Sequence, residues 1–148
     1  MAQDIVAKIQ AAAQASGVDP DVALRVAGVE SSFRPAAKNT ESTAAGLFQV
    51  TDDTWKDYGG DPRKKLDVDE NIRVGMKILS SNKASMQKFL GREPLPSDIY
   101  AAHFFGPTGA RAVMSADPLA PVASVVSKAV MEANPQLAGK TVNEVLTG

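Results

Sequence analysis

The chain has no cysteine, a single histidine and a single tryptophan among 148 residues. Without cysteine there is no disulfide framework, no thiolate nucleophile and no cysteine metal site. The redox compartment stays open, because an envelope protein need not carry disulfides. One histidine, His103, excludes a multi-histidine zinc or iron centre, and no spacing of Asp and Asn around a central Gly resembles an EF-hand loop. No metal and no cofactor are expected. Charge excess is also lacking: 16 Lys plus Arg face 17 Asp plus Glu, for a formal net charge of -1. Non-specific nucleic-acid binding needs a basic excess to release counterions, so nucleic acid is not an expected partner. No run approaches the roughly 18 consecutive apolar residues of a membrane span, so membrane insertion is not expected. The first residues, Met-Ala-Gln-Asp, carry no basic region followed by an apolar core, so no signal peptide is expected. A Gly-x-Ser-x-Gly elbow and a glycine-rich phosphate loop are missing too.

What is present describes an ordinary globular chain, 44% hydrophobic and 22% charged. Its length predicts one domain over residues 1–148; a monomer is expected. Apolar residues recur at helical spacing in Ile5, Val6, Ile9, Ala12 and Ala13, ending at Gly17. Asp19-Pro20-Asp21 reads as a cap, a first-turn proline and a first-turn acid. Val22, Val26, Val29 and Phe33 then form one stripe, which predicts a helix running to Arg34-Pro35. Residues 36–50 change to loop formers, consistent with a loop or small β-hairpin. Thr51 is placed to cap a short helix through Trp55, and a long helix is expected from Asp67 to Leu90. Ser97 is placed to cap a further helix that stops at Gly106-Pro107, with another short helix over 108–115. Val122, Val125, Val126, Ala129 and Val130 predict a helix within 121–134. Thr141 and Glu144 form a capping-box pair before a last short helix. The fold class is mainly α, with a loop-rich insert.

A helical domain lacking metal, cysteine and a phosphate loop is left with carboxylate chemistry. Glu30 is the candidate with a physical argument. It falls in the last turn of its helix, where the backbone carries about half a negative charge. Val29 and Phe33 beside it would limit hydration. Both effects suit a carboxyl that donates a proton. Composition and periodicity alone do not separate this reading from an acid on a solvated helix face.

Three segments in order narrow the choice: Glu30-Ser31-Ser32-Phe33-Arg34-Pro35, Ala45-Gly46-Leu47-Phe48-Gln49-Val50-Thr51, and Ala101-Ala102-His103-Phe104-Phe105-Gly106-Pro107. Together they resemble the lytic transglycosylase family with its goose-type lysozyme-like fold, whose signatures are Glu-Ser, Gly-Leu-Met-Gln and an Ala-Tyr-Asn-x-Gly-like segment. The resemblance spans roughly residues 5 to 115. It implies that Glu30 is the sole catalytic acid/base, cleaving the β-1,4 bond between N-acetylmuramic acid and N-acetylglucosamine in peptidoglycan. The product would carry a 1,6-anhydromuramic end. By the same resemblance Gln49 would hydrogen-bond the sugar or the catalytic site, and Ser31 completes the first signature. Phe48 stands where the family has Met, either walling a sugar subsite or packing the insert onto the core. Asn39 lies where relatives place a small polar residue near the muramic acid, and it equally suits a turn. His103 and Phe104 replace the usual Tyr-Asn, the largest departure. Tyr100, three residues earlier on the same helix side, is placed to supply a hydroxyl. Trp55 and Tyr58 suit sugar stacking, although a bracing role fits a lone tryptophan better.

Two rival readings stay open. A goose-type muramidase would hydrolyse the same bond but needs a second carboxylate. The position where those enzymes carry it, two residues after the Gln, is Thr51 here, leaving Asp52, Asp53 or Glu41 as substitutes. An inactive glycan-binding virion module is the other. The His-Phe variant and the C-terminal segment resemble lysozyme-like domains of bacteriophage particles. Phage virion proteins are therefore expected partners, with the bacterial envelope as the place of action.

Overall fold

The computed structural model describes residues 2–147, which form seven α-helices and two short 3-10 turns. The helices are α1 (Ala2–Ser16), α2 (Pro20–Ser31), α3 (Asp52–Asp57), α4 (Val68–Leu90), α5 (Pro96–Ser115), α6 (Lys128–Ala133) and α7 (Val142–Thr147). The chain divides into two compact units, one ending at Ser81 and the other beginning at Asn82. The boundary falls within α4.

In the first unit α1 packs on α2, and Ile5, Ile9 and Ala13 of α1 and Val22, Ala23 and Val26 of α2 are all buried. The start of α2 is the expected one. The Asp19 carboxylate accepts from the Asp21 N–H at 2.9 Å and Pro20 occupies the first turn, where its missing N–H costs nothing. Its end differs from expectation. The helix stops at Ser31 because Ser32 and Phe33 adopt left-handed backbone (φ 53° and 61°), with the Ser32 N–H closing on Gly28 O at 3.0 Å. Two successive non-glycine residues in that region are unfavourable by about 1 kcal/mol each. One compensation is visible: the Phe33 ring folds back over Gly28, where an added Cβ would lie 3.3 Å from it. Val29 leaves the apolar stripe altogether and is 62% exposed.

Residues 36–50 make a bridged loop. Lys38 pairs with Ala45 and Ala45 with Val50, as isolated antiparallel bridges. Among the described residues no strand develops, since the turn at 46–49 returns the chain after one bridge. The insert is fastened to α4 from within. Asn71 is 1% exposed; its Oδ1 accepts from the Phe48 N–H at 2.9 Å, and its Nδ2 donates to Lys65 O at 2.9 Å and Ala45 O at 3.3 Å. Gly46 (φ 84°) has no room for a side chain, because a Cβ would fall 2.1 Å from Asn71 Nδ2.

Thr51 begins α3, but its hydroxyl pairs with Thr54 Oγ1 at 3.1 Å instead of capping a backbone N–H. Trp55 is buried, and its indole N–H donates to Asp61 O at 2.9 Å, so it braces the turn after α3. That turn is clamped from α4. Arg73 donates to both Glu70 oxygens (2.7 and 2.8 Å) and to Gly59 O (3.0 Å), while Glu70 accepts from the Asp61 N–H (2.9 Å). The Arg73 hydrogen bonds first, and the Asp61 N–H second, hold the Glu70 carboxyl down to about 2. A carboxyl depressed on folding contributes stability that is present above its unfolded value and lost as pH falls through the folded one. The Tm gap between wild type and Glu70→Gln should therefore be constant above about pH 4.5 and close between there and about pH 2. Calorimetry across that window measures it.

The second unit gathers Met86, Ala101, Ala102, Phe105, Ala110, Val113, Val122, Val126, Leu137 and Val142 into one core. Ser97 does not cap α5. Leu95 holds the cap position, and the Asp98 carboxylate accepts from its N–H at 2.8 Å and from Arg92 at 3.0 Å. The helix breaks at Gly106 (φ 74°, ψ 160°) and resumes at Pro107, as the Gly-Pro pair implied. The helix expected within 121–134 is instead a 3-10 turn at Val122–Ser124 and a separate α6. Ser127 interrupts it by accepting from the Val130 N–H at 3.2 Å. Thr141 and Glu144 form the anticipated reciprocal cap: Thr141 donates to Glu144 Oε1 from its N–H at 3.1 Å, and the Glu144 N–H donates to Thr141 Oγ1 at 3.2 Å.

Candidate active site

The early stop of α2 and the bridged loop enclose an open cavity of about 500 Å³ in the first unit. Glu30, in the last turn of α2, lines one side; Arg34, Lys38, Asn39 and Gln49 line the rest, with Ala36 and Ala37 between them. Among the described lining residues Glu30 is the one carboxylate.

Each side chain reaches the cavity for a local reason. Glu30 is half-buried and follows an exposed Val29, so the shielding expected from Val29 is not there. Gln49 adopts left-handed backbone (φ 47°) at the end of the 46–49 turn, and its Nε2 donates to Gly46 O at 2.8 Å and Ala37 O at 3.0 Å. Its amide is thus the brace of the loop as well as part of the cavity lining, with Oε1 left to accept from a ligand. Asn39 serves two roles also: it lines the cavity, and its Oδ1 accepts from the Glu41 N–H at 2.7 Å, the turn role anticipated for it.

Two candidate residues lie behind the cavity instead of lining it. Ser31 is 2% exposed and donates from Oγ to Ala27 O at 3.0 Å, a back-bond within the helix. Phe48 is 3% exposed, and an added Cβ on Gly75 would meet its ring at 2.6 Å, so it packs the insert onto α4. Of the two roles open to Phe48, packing is the one observed. Trp55 is likewise a brace. Tyr100, His103 and Phe104 lie on α5 in the second unit, each half-buried, with the His103 and Phe104 rings edge-to-face at 5.2 Å.

The alternative second carboxylates do not line this cavity. Asp52 pairs with Lys65 at 2.6 Å, and Asp53 and Glu41 are exposed. The sequence reading missed Arg34 and Lys38. Their signal was a pair of cations four and eight residues after the acid, on the loop that leaves its helix.

Residues 7–104 match the family described as the Transglycosylase SLT domain, more than half of the chain. The chain belongs to that family. Its function is accordingly of the lytic transglycosylase type, degrading peptidoglycan.

Proposed function

We propose that the protein cleaves the β-1,4 bond between N-acetylmuramic acid and N-acetylglucosamine with Glu30 as the single acid/base, leaving a 1,6-anhydromuramic end. The observation that carries this reading is one carboxyl, and no second, among the described residues lining the cavity at the end of α2.

The chemistry balances with one carboxyl. Glu30 gives its proton to the bridging oxygen as the bond from C1 to that oxygen breaks and positive charge develops at C1 and the ring oxygen. The C6 hydroxyl of the same muramic residue then forms a bond to C1, and its proton returns to the Glu30 carboxylate. No water is consumed. In a hydrolase a second carboxylate activates water; here an intramolecular hydroxyl replaces it, with an effective concentration that water cannot match. Gln49 Oε1 and Asn39 are the neutral groups that would hold the sugar. With the reaction on peptidoglycan, the bacterial envelope is the place of action.

Mass spectrometry of fragments released from purified sacculi tests the reading. Anhydro ends, lighter by one water than reducing ends, are expected throughout. Reducing ends in their place would mean hydrolysis and would require a second carboxylate from outside this cavity lining.

A further inference from the structure

The cavity beside Glu30 carries more positive than negative charge. Arg34 and Lys38 both line it against one carboxylate among the described residues. Neither cation enters an ion pair among the described residues. Both stand on a fastened frame. The Arg34 Nε donates to Ser31 O at 3.2 Å, which anchors the base of the guanidinium and leaves its terminal N–H groups for a ligand. Lys38 is held by its bridge to Ala45, next to an Ala37 carbonyl that accepts from both the Gly46 N–H (2.8 Å) and Gln49 Nε2 (3.0 Å). The lining residues between them in the chain, Ala36 and Ala37, carry only methyl side chains.

Two unneutralised cations have no use on a neutral disaccharide. On this substrate the negative charge resides on one arm only: the lactyl ether of the muramic residue, whose carboxyl is either free or extended into an acidic peptide. We infer that Arg34 and Lys38 form a carboxylate-recognising subsite for that arm, and so determine which strands are placed against Glu30. The inference rests on the reading of the cavity as the glycan site. A guanidinium suits a carboxylate bidentately and an ammonium adds a point charge. Both side chains are exposed, so the discrimination is modest and weakens with salt.

The test measures affinity separately from turnover, using full-length Glu30→Gln protein and isothermal titration calorimetry. Four probes are compared: peptide-free strands with free lactyl carboxylates, the same strands amidated, peptide-bearing strands, and their amidated counterparts. At low salt the acidic strands should bind about tenfold more tightly than the amidated ones. In the Arg34→Gln/Lys38→Gln variant that ratio should fall to near one, while Arg34→Lys/Lys38→Arg should keep most of it. A preference confined to peptide-free strands identifies the lactyl carboxylate as the ligand, and one confined to peptide-bearing strands identifies the carboxylates of the stem. An acidic preference that is missing, or that survives the double Gln variant, overturns the subsite. Cleavage by protein retaining Glu30 is assayed alongside. If that protein binds with the charge preference but does not cleave, the acid/base reading fails and the subsite stands.

Discussion

Replacing Glu30 by Gln should lower the rate of fragment release from sacculi by about a thousandfold, the scale of a lost general acid/base. Gln keeps the shape and the hydrogen-bonding reach of the side chain but has no proton of suitable acidity to give. The bridging oxygen would then leave as an alkoxide, and the C6 hydroxyl would find no base. The fold should not suffer. Glu30 is half-buried at a helix end, and α2 is held by its Asp19 cap, its Val22 and Val26 contacts and its closure onto Gly28. The thermal midpoint is therefore expected within about 2 °C of wild type, since Gln keeps the length and hydrogen-bonding reach of Glu at this half-buried helix end and such an exchange stays near ±0.5 kcal/mol. Glu41→Gln and Asp53→Asn make the contrast. Both groups are exposed and neither lines the cavity, so release should stay within about twofold of wild type. A hydrolase that used either one as its second carboxylate would lose activity as severely as Glu30→Gln does. Retained cleavage in Glu30→Gln, or an inactive binder unchanged by it, would remove the acid/base assignment.

The second large effect concerns stability. Asn71→Ala should destabilise the protein by about 3 kcal/mol, or roughly 10 °C in Tm, read by thermal or urea unfolding. The substitution deprives the buried Phe48 N–H and the Lys65 carbonyl of their partner and weakens the bonding of Ala45 O. A buried polar group left unmet costs about 1–3 kcal/mol, and here more than one is left. Asn71→Asp is the sharper probe. It keeps an acceptor for the Phe48 N–H but turns an oxygen toward two carbonyls, so it should be no milder than Ala. Cleavage should fall with both, because the same insert carries Gln49 and Asn39 into the cavity. The dependence runs one way: Glu30→Gln leaves the scaffold intact, whereas Asn71 variants lose scaffold and site together.

Most helices were legible in the chain because their signals are local. Asp19-Pro20, Gly106-Pro107 and Thr141 with Glu144 each act within one helical turn, and each does in the structure what its chemistry requires. The long stripe from Val68 to Leu90 needed only the helical period. The readings that changed depended on distant partners. Val29 and Phe33 continue the spacing of Val22 and Val26, yet periodicity cannot report that the chain turns left-handed at Ser32 and folds Phe33 back on Gly28. Ser97 and Thr51 have the right type for capping, but Asp98 accepts from the cap residue Leu95 at the start of α5, and the Thr51 hydroxyl is taken up by Thr54 Oγ1. Of the apolar residues expected on one helical face within 121–134, Val122 and Val126 are buried, while Ser127 broke the single helix between them and α6.

The candidate site divides along the same line. That a lone glutamate ends a helix, ahead of a Gly-Leu-Phe-Gln turn, is written in residue order, and the resemblance carried by that order led to the family that the match over residues 7–104 shows and to Glu30 as the proposed acid. Which neighbours share its cavity depends on contacts between segments far apart in the chain. Folding turned Ser31 and Phe48 inward, against Ala27 and Gly75, and left Arg34 and Lys38 facing the space beside Glu30. Burial is a property of the packed whole: a side chain of a given type goes inward or outward according to what the opposite segment offers it. Asn71, remote from the loop in sequence yet bonded to three of its backbone groups or neighbours, made that choice for the insert.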